Sequence, residues 1–193
     1  AAVRAPHATV SVAKTLQTYC RLSYGVSTSY IPNGTQIPME ASDASLLSPF
    51  GLTQERYLLF CARLVKHKNA HLLMEAWQCL RREAPELTRD FKLAIVGGSA
   101  FTDAYVRELK KMAAADDSIV MTDVQTGSTL QTLFAHAYAL IHPSESEGLP
   151  ISILEAMSHG RCVLASNIPE NMELVAENGM QFMAGNKDDL VEK

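Results

Sequence analysis

The sequence predicts an α/β protein whose parallel sheet is covered by helices on both faces. From Tyr57 onward, short apolar runs alternate with segments whose apolar residues recur at helical spacing. Glycines end several of these segments, among them Gly97-Gly98 after an apolar run and Gly160 after a helical segment. Repeated alternation of this kind is typical of a parallel sheet, and right-handed crossovers between its strands make a doubly wound, Rossmann-like domain.

The apolar pattern places each element in turn. Strands are predicted at Tyr57–Ala62, Lys92–Val96, Ser118–Met121, Tyr138–His142, Arg161–Ala165 and Met180–Met183. Helices are predicted at Leu72–Leu80, Tyr105–Ala115, Thr129–Ala137, Pro150–His159 and Glu170–Ala176. The helix assignments rest on apolar residues that share one face, as Tyr105, Leu109 and Met112 do.

The first 55 residues are organised differently. Two strand-like segments, Thr9–Val12 and Ser29–Ile31, flank a helical one, and the turn signal Pro32-Asn33-Gly34 follows them. We interpret residues 1–36 as the edge of an N-terminal domain that is otherwise missing from this sequence. Residues 37–55 are predicted to be an interdomain linker and residues 56–193 the Rossmann-like domain, in which Lys187–Lys193 is typical of the first turns of a helix that is cut off.

Composition narrows the classes of function. The chain has 193 residues, of which 47% are apolar, and this is enough for one domain with a core. The net charge of −4 offers no basic field for nucleic acid. No apolar run approaches the roughly 18–20 residues of a membrane-spanning helix. The four cysteines include no close pair and predict free thiols in a reducing compartment, so we expect a cytoplasmic protein whose full-length form can still touch a membrane.

The most informative segment is Pro143–Met157, which joins an apolar strand to a helix. Glu147 lies in its loop and Glu155 in its helix, and Pro150 suits the first helical position. The backbone N–H groups of Gly148 and Leu149 are then free to bind a ligand beyond the end of the strand. Acceptors for hydroxyls beside donors for phosphate are typical of a site that handles a nucleotide sugar.

Two cationic residues follow the first strand of the alternating region. Arg63 comes directly after the strand and Lys68 just before the next helix, so both can converge on an anion at the helix start. The alternative is a solvated basic loop. Glu155 is expected to face away from Ile151 and Leu154 and to accept both hydroxyls of a ribose, whereas the alternative is a solvated surface glutamate.

Two further strand ends carry weaker signals. Gly97-Gly98 is not a dinucleotide fingerprint, because no third glycine follows. Its small residues allow a flat base or a backbone segment to approach, or they form a plain tight turn. Asp123 and Val124 begin a loop that would form a wall against a nucleobase, or that is an ordinary strand-to-helix loop. The six histidines lack ligand spacing, so core or surface roles are expected for them and no metal site is predicted.

Together these motifs resemble the C-terminal, donor-binding half of a GT-B glycosyltransferase of glycosyltransferase family 4. The resemblance covers roughly residues 9 to 183, and its motifs stand in the expected order. The matching motifs are Ile31-Pro32-Asn33-Gly34, Arg63-Leu64 with Lys68, Val96-Gly97-Gly98, Pro143-Ser144, and Glu147-Gly148-Leu149-Pro150 through Leu154-Glu155-Ala156-Met157.

The resemblance implies a role for each matching residue. Arg63 and Lys68 would hold the donor diphosphate, Glu147 would contact the donor sugar with help from the amides of Gly148 and Leu149, and Glu155 would bind the ribose. The implied substrate is a UDP-, GDP- or ADP-sugar, transferred with retention at the anomeric carbon to an acceptor glycan, lipid or small molecule. No metal and no further cofactor are implied, which fits the absence of an Asp-x-Asp motif.

The sequence departs from the family pattern at two places. Asn69 stands where a glycine often follows the lysine, and Ser166-Asn167-Ile168-Pro169 lacks the glycine pair of many members. Alternative functions are the corresponding half of a GT-B epimerase or phosphorylase, and a non-catalytic Rossmann-like interaction module. An NAD-dependent oxidoreductase is disfavoured by the absent third glycine and by the lack of an acidic residue at the expected offset.

Overall fold

The computed structural model describes residue 3, residues 5–38 and residues 42–193. Its centre is a sheet of six strands in the order β5-β4-β3-β6-β7-β8, and every neighbouring pair is parallel. The strands are β3 Tyr57–Cys61, β4 Lys92–Val96, β5 Ile119–Asp123, β6 Ala139–His142, β7 Cys162–Ser166 and β8 Met180–Phe182. This order is that of a doubly wound, Rossmann-like sheet.

Helices connect the strands and cover both faces of the sheet. The helices of this region are α2 Ala70–Glu83, α3 Pro85–Thr88, α4 Asp103–Ala114, α5 Gly127–Ala135, α6 Ile151–Ser158, α7 Pro169–Val175 and α8 Lys187–Glu192. Side chains of α2, α4 and α8 belong to one buried cluster, and those of α5, α6 and α7 belong to another.

The strands separate these two clusters because successive side chains of a strand point to opposite faces. In β4, Leu93 and Ile95 belong to the first cluster, while Ala94 and Val96 belong to the second. A strand buried on both faces reads as a nearly continuous apolar run, which explains why the sequence pattern located these strands to within one or two residues.

Residues near the N-terminus form a small unit of their own. Strand β1 (Val10–Ser11) pairs in parallel with β2 (Ser29–Tyr30), and helix α1 (Lys14–Tyr24) connects them. The carboxylate of Glu173 in α7 accepts hydrogen bonds from the first amides of α1, at 3.0 Å from Lys14 N and 2.8 Å from Thr15 N. These bonds satisfy helix-end donors and attach the unit to the main sheet's outer layer.

Part of the segment predicted as a linker packs in the core. Residues 44–50 form a 3₁₀ helix that is capped by the side chain of Asp43, and Leu47 and Leu52 join the cluster of α5 and α6. The ranges 1–36 and 37–55 also contain residues 1, 2, 4 and 39–41, which lie outside the described residues. The division into domains therefore stays a prediction.

Candidate functional site

The site lies where the order of the strands reverses. The chain leaves β3 toward β4 on one side of the sheet and leaves β6 toward β7 on the other, although β3 and β6 are neighbours. A crevice forms beyond the carboxyl ends of the strands at such a point, and ligands of open α/β sheets bind there. Lys68 follows β3 and Glu147 follows β6, and their Nζ and Oε1 atoms lie 2.5 Å apart.

Glu147 is held by three side chains. Besides Lys68, His142 contacts Oε1 through Nε2 at 2.8 Å, and the hydroxyl of Ser144 lies 3.2 Å from the same ring nitrogen. The side chains of Lys68, His142 and Glu147 are 10%, 3% and 7% exposed. These three side chains are shielded from solvent, so the ion pair of Lys68 with Glu147 is stronger than an ion pair on the surface.

The surroundings of Glu147 keep it ionised. Burial alone raises the pKa of its carboxyl, but the hydrogen bond and charge of His142, followed by the hydrogen bonds of Lys68 and Ser144, lower the pKa to about 2. Lys68 and His142 both contact Oε1, so neither of these side chains occupies Oε2. Glu147 therefore provides a fixed, negatively charged hydrogen-bond acceptor in the crevice where the strand order reverses.

The two loops that carry Lys68 and Glu147 are tied to each other. Asn69 donates from Nδ2 to the carbonyl of Pro143 at 3.1 Å, and the amide of Glu145 donates to the carbonyl of His67 at 2.8 Å. Asn69 has a φ of 56°, in the left-handed region that asparagine tolerates better than most residues. Asparagine is therefore compatible with the backbone conformation at this position.

Free backbone donors lie beside this pair. Within the described residues, the amides of Gly148 and Leu149 donate to no acceptor, and they precede the N-terminus of α6. The carbonyl of Leu149 accepts from Nδ2 of Asn33 at 3.0 Å. Pro150 immediately precedes α6, so the prediction that it occupies the first helical position is off by one residue. The arrangement suits an anion or a sugar oxygen.

Arg63 does not join the contact between Lys68 and Glu147. Its side chain is exposed, and no hydrogen bond or ion pair links it to the part of the chain that the structure describes. It follows β3 directly, so it lies on the same edge of the sheet as Lys68. The structure therefore leaves this guanidinium available at the rim of the crevice.

Glu155 lies one turn further into α6 and borders a separate groove. The groove has a volume of about 960 Å³ and is lined by residues from α5, from α6, and from the ranges 34–38 and 42–46. Ser128 and Ile151 are among them, and His159 also lines the groove. Burial raises the pKa of Glu155, and burial together with the charge of Glu155 raises that of the Cys61 thiol to about 12.

The orientation of α6 differs from the expectation. Ile153 and Ala156 are its buried residues, whereas Ile151 is exposed and lines the same groove as Glu155. The prediction that Glu155 faces away from Ile151 is wrong, because the buried stripe of this short helix passes through Ile153. Apolar residues occupy both faces of α6, so their spacing could not decide which face is buried.

Gly97 and Gly98 make room for protein atoms. Gly97 has a φ of 151°, and a Cβ there would collide with the backbone carbonyl of Ala62. A Cβ on Gly98 would lie 2.6 Å from Cγ2 of Val124. Of the alternatives, the close approach of a backbone segment is confirmed at Gly97, and the side chain of Val124 fills the space at Gly98.

The loop after β5 presents one charged and one apolar side chain. Asp123 has a φ of 56°, and its carboxylate lies 3.1 Å from Nζ of Lys110. Val124 is 65% exposed although it packs over Gly98. An exposed apolar side chain at this edge of the sheet offers a surface on which a flat ring can lie.

His142 is the site residue that sequence reasoning missed. It is the last residue of β6, is 2% exposed and bonds to Glu147, whereas the sequence assigned the histidines to core or surface roles. The available signal was its position, because it ends a strand directly before Pro143-Ser144. Within the described ranges, no helix is long and apolar enough to cross a membrane.

Comparison with known proteins identifies relatives. The family model described as "Glycosyl transferases group 1" matches residues 55–193. The chain is 28% identical over 154 residues to O-antigen chain mannosyltransferase B of Escherichia coli, a match that covers 80% of this chain and 38% of that protein. It is 30% identical over 113 residues to D-inositol 3-phosphate glycosyltransferase of Pseudarthrobacter chlorophenolicus, which covers 58% of this chain and 26% of that protein. The chain thus spans well under half the length of these curated relatives.

Solved structures share the fold. HepE of Anabaena, crystallised in complex with UDP and glucose, has a TM-score of 0.84 and 23% identity, and the match covers 99% of this chain and 53% of that one. Sucrose-phosphate synthase of Thermosynechococcus elongatus has a TM-score of 0.79 and 19% identity, and the match covers 98% and 48% of the two chains. The predicted fold, the Rossmann-like C-terminal half of a GT-B glycosyltransferase, is confirmed.

Proposed function

We propose, because the chain belongs to the glycosyl transferases group 1 family, that it binds the nucleotide-sugar donor of a retaining, metal-independent glycosyltransferase of family 4. The observation that carries the proposal is the contact of Lys68 with Glu147 at the switch point of the sheet. A cation for phosphate and a fixed acceptor for sugar hydroxyls lie side by side there. The free amides of Gly148 and Leu149 add donors to the same place.

The diphosphate binds to the cationic side of the site. Lys68 gives one hydrogen to Glu147 and has two left for phosphate oxygens, and Arg63 is free to reach over the rim. The amides before α6 add partial positive charge from the helix end. These groups take the charge that develops on the leaving phosphate, which is the work that a divalent ion does in metal-dependent transferases.

The sugar and the nucleoside bind to the remaining residues. Oε2 of Glu147 accepts a sugar hydroxyl, and Glu155 accepts the two ribose hydroxyls from the second turn of α6. The nucleobase lies against Val124, with Asp123, Gly97 and Gly98 shaping the loops behind it. HepE, whose structure contains UDP and glucose, supports a uridine nucleotide as the first probe.

The acceptor is bound largely outside this chain. The chain covers 38% of its mannosyltransferase relative. Helix α1 and Asn33 are attached to the donor-binding domain by hydrogen bonds to Glu173 and to the carbonyl of Leu149. We therefore assign the acceptor glycan, lipid or small molecule, and any membrane association, to the full-length protein in the cytoplasm. Asn33 and Gly34 lie at the proposed hinge between the two domains.

Isothermal titration of the chain with UDP, GDP and ADP tests the proposal. We expect millimolar or tighter binding of one of these nucleotides, and on the order of 2 kcal/mol of binding lost in Lys68→Met, as for a hydrogen bond to a charged group. Lys66→Met is the matched control, because Lys66 is exposed on the same turn. If all three nucleotides fail to bind at millimolar concentration, the chain is an interaction module rather than a donor-binding domain.

A second titration separates a transferase from the related reactions. Glu147→Gln should weaken a nucleotide sugar more than the free nucleotide, and Glu145→Gln, two residues away on the exposed side of the loop, should change neither. Turnover of the donor by the full-length protein with an acceptor then distinguishes transfer from epimerisation, which changes the sugar without an acceptor, and from phosphorolysis, which needs inorganic phosphate.

A further inference from the structure

His142 occupies a position from which it can control Glu147. It ends β6, a strand whose four residues are all buried between β3 and β7. Its ring has polar partners at both nitrogens. Nε2 lies 2.8 Å from Oε1 of Glu147 and 3.2 Å from the hydroxyl of Ser144, and Nδ1 lies 3.3 Å from the hydroxyl of Ser152. All three partners belong to the loop and helix that follow β6, so the ring connects the rigid sheet to the mouth of the site.

The chemistry of the partners sets the hydrogen on the ring. An ionised carboxylate only accepts hydrogen bonds, so the hydrogen in the bond to Glu147 belongs to Nε2 of His142. In the neutral ring Nδ1 then accepts, and the hydroxyl of Ser152 donates to it. The position of the hydrogen follows from the partners, since it is not observed directly.

Lys68 alone does not fix the carboxylate. Its Nζ stands on a flexible four-carbon stem, and a second contact to the same oxygen is needed to set the plane of the carboxyl group. His142 supplies this contact from a rigid ring with two rotatable bonds. Because both bonds go to Oε1, neither Lys68 nor His142 occupies the other oxygen, Oε2.

We propose that His142 is a positioning residue for the donor sugar, which fixes the carboxylate of Glu147 so that Oε2 accepts a sugar hydroxyl. The inference rests on the proposed function, because it concerns the same site. It gives His142 an effect on the sugar half of the donor and none on the nucleotide half, whose partners are Arg63, Lys68 and Glu155. A residue that only supports the fold would affect both halves equally.

The test compares the binding of UDP with that of UDP-glucose by isothermal titration, in the wild-type protein and in three variants. If UDP does not bind, the pair is GDP with GDP-mannose or ADP with ADP-glucose. His142→Gln places an amide Nε2 where it can still donate to Glu147, whereas His142→Asn is one methylene shorter and His142→Leu has no donor. In the Leu and Asn variants we expect UDP-glucose to bind about fivefold more weakly relative to UDP, as for one lost hydrogen bond. The dissociation constant of UDP divided by that of UDP-glucose should therefore fall about fivefold. The ratio should stay within about twofold of wild type in the Gln variant, and the affinity for UDP should not change.

His136→Leu is the matched control, because His136 also bonds through its ring, to the hydroxyl of Ser42 at 2.9 Å, but lies before the start of β6 at the opposite edge of the sheet. The Gln and Asn pair keeps the test valid if the Leu variant does not fold. A long-range ¹H–¹⁵N spectrum of the wild-type ring should show its hydrogen on Nε2.

Two results would overturn the inference. One is a hydrogen on Nδ1 alone. The other is an unchanged ratio in the Asn and Leu variants, whether neither affinity changes or both fall equally. A wild-type chain that binds neither member of any of the three pairs would instead overturn the proposed function, and the inference with it. Wild-type binding with an unchanged ratio in the variants leaves the proposed function in place and removes only the role of His142.

Discussion

Asn69 and Pro143 join the two loops that form the site. Nδ2 of Asn69 donates to the carbonyl of Pro143 at 3.1 Å, and Asn69 is 3% exposed. One loop follows β3 and the other follows β6, so two residues that are 74 positions apart along the chain meet because their strands are neighbours in the sheet. This bond and the contact of Lys68 with Glu147 therefore hold the same pair of loops in register.

Substitutions of Asn69 should separate the contribution of its hydrogen bond to stability from the cost of its left-handed backbone conformation. Asn69→Ala leaves a buried carbonyl without its donor and puts alanine, which tolerates a φ of 56° less well than asparagine, at this position. We therefore expect a loss of about 2–3 kcal/mol in the free energy of unfolding. Asn69→Gly loses the bond but relieves the conformation and should cost about 1 kcal/mol less. Urea denaturation measures both, and a Gly variant less stable than the Ala variant would show that the left-handed conformation is not a factor.

The Glu147 cluster should make stability depend on acid pH. The pKa of Glu147 is about 2 in the folded protein, against an ordinary value of 4.5, so its contribution is fully present above about pH 4.5 and is lost as the pH falls toward 2. The contribution is on the order of 3 kcal/mol. The difference in unfolding free energy between wild type and Glu147→Gln should shrink between pH 5 and pH 3.

The exposed neighbour of Glu147 is the control for this pH dependence. Glu145→Gln removes a carboxylate from the same loop without touching the buried cluster. Its difference from wild type should stay flat over the same pH range. A Glu147→Gln difference that is equally flat would mean that Glu147 is no more stabilised as a carboxylate than a solvated glutamate.

Glu155 should show the opposite sign. Burial raises its pKa, so the folded protein binds the proton more tightly than the unfolded chain does, and the charged form costs stability at neutral pH. Glu155→Gln should raise the unfolding free energy at pH 7 by less than about 1 kcal/mol, because the residue is partly exposed to screening solvent. If Glu155 binds ribose, the same variant should bind the nucleotide more weakly.

A carboxylate elsewhere on the surface provides the comparison for Glu155. Glu75 is exposed on α2, on the other face of the sheet, so Glu75→Gln should change neither stability nor nucleotide affinity. Thermal unfolding and titration with UDP measure the two properties. Equal behaviour of the two variants would assign Glu155 to the solvated surface, which is the alternative that the sequence left open.

The two glycines after β4 should respond very differently to alanine. At Gly97 the new Cβ meets the carbonyl of Ala62 and the φ of 151° is one that only glycine adopts freely, so Gly97→Ala should cost more than about 3 kcal/mol. At Gly98 the Cβ meets only the side chain of Val124. Gly98→Ala should be milder, and adding Val124→Ala should recover most of its loss, as measured by urea denaturation of the single and double variants.

The sequence by itself determined the order of strands and helices and most of the residues proposed for the site. Strands buried on both faces leave continuous apolar runs, and strand ends at a switch point carry polar residues whose types are visible in the chain. Lys68 and Glu147 were both identified in this way. Helix α6 was located correctly, although its buried face was not, because apolar residues occupy more than one side of it.

Only the tertiary structure decided which of these groups meet. The contacts of Glu147 with Lys68 and of Asn69 with Pro143 cross from one strand end to the next, so no spacing along the chain encodes them. His142 escaped notice because a histidine that ends an apolar strand has the same sequence pattern whether it is packed or hydrogen-bonded. The fold of β6 and the following loop brings its ring to the carboxylate of Glu147, a contact that only the structure shows.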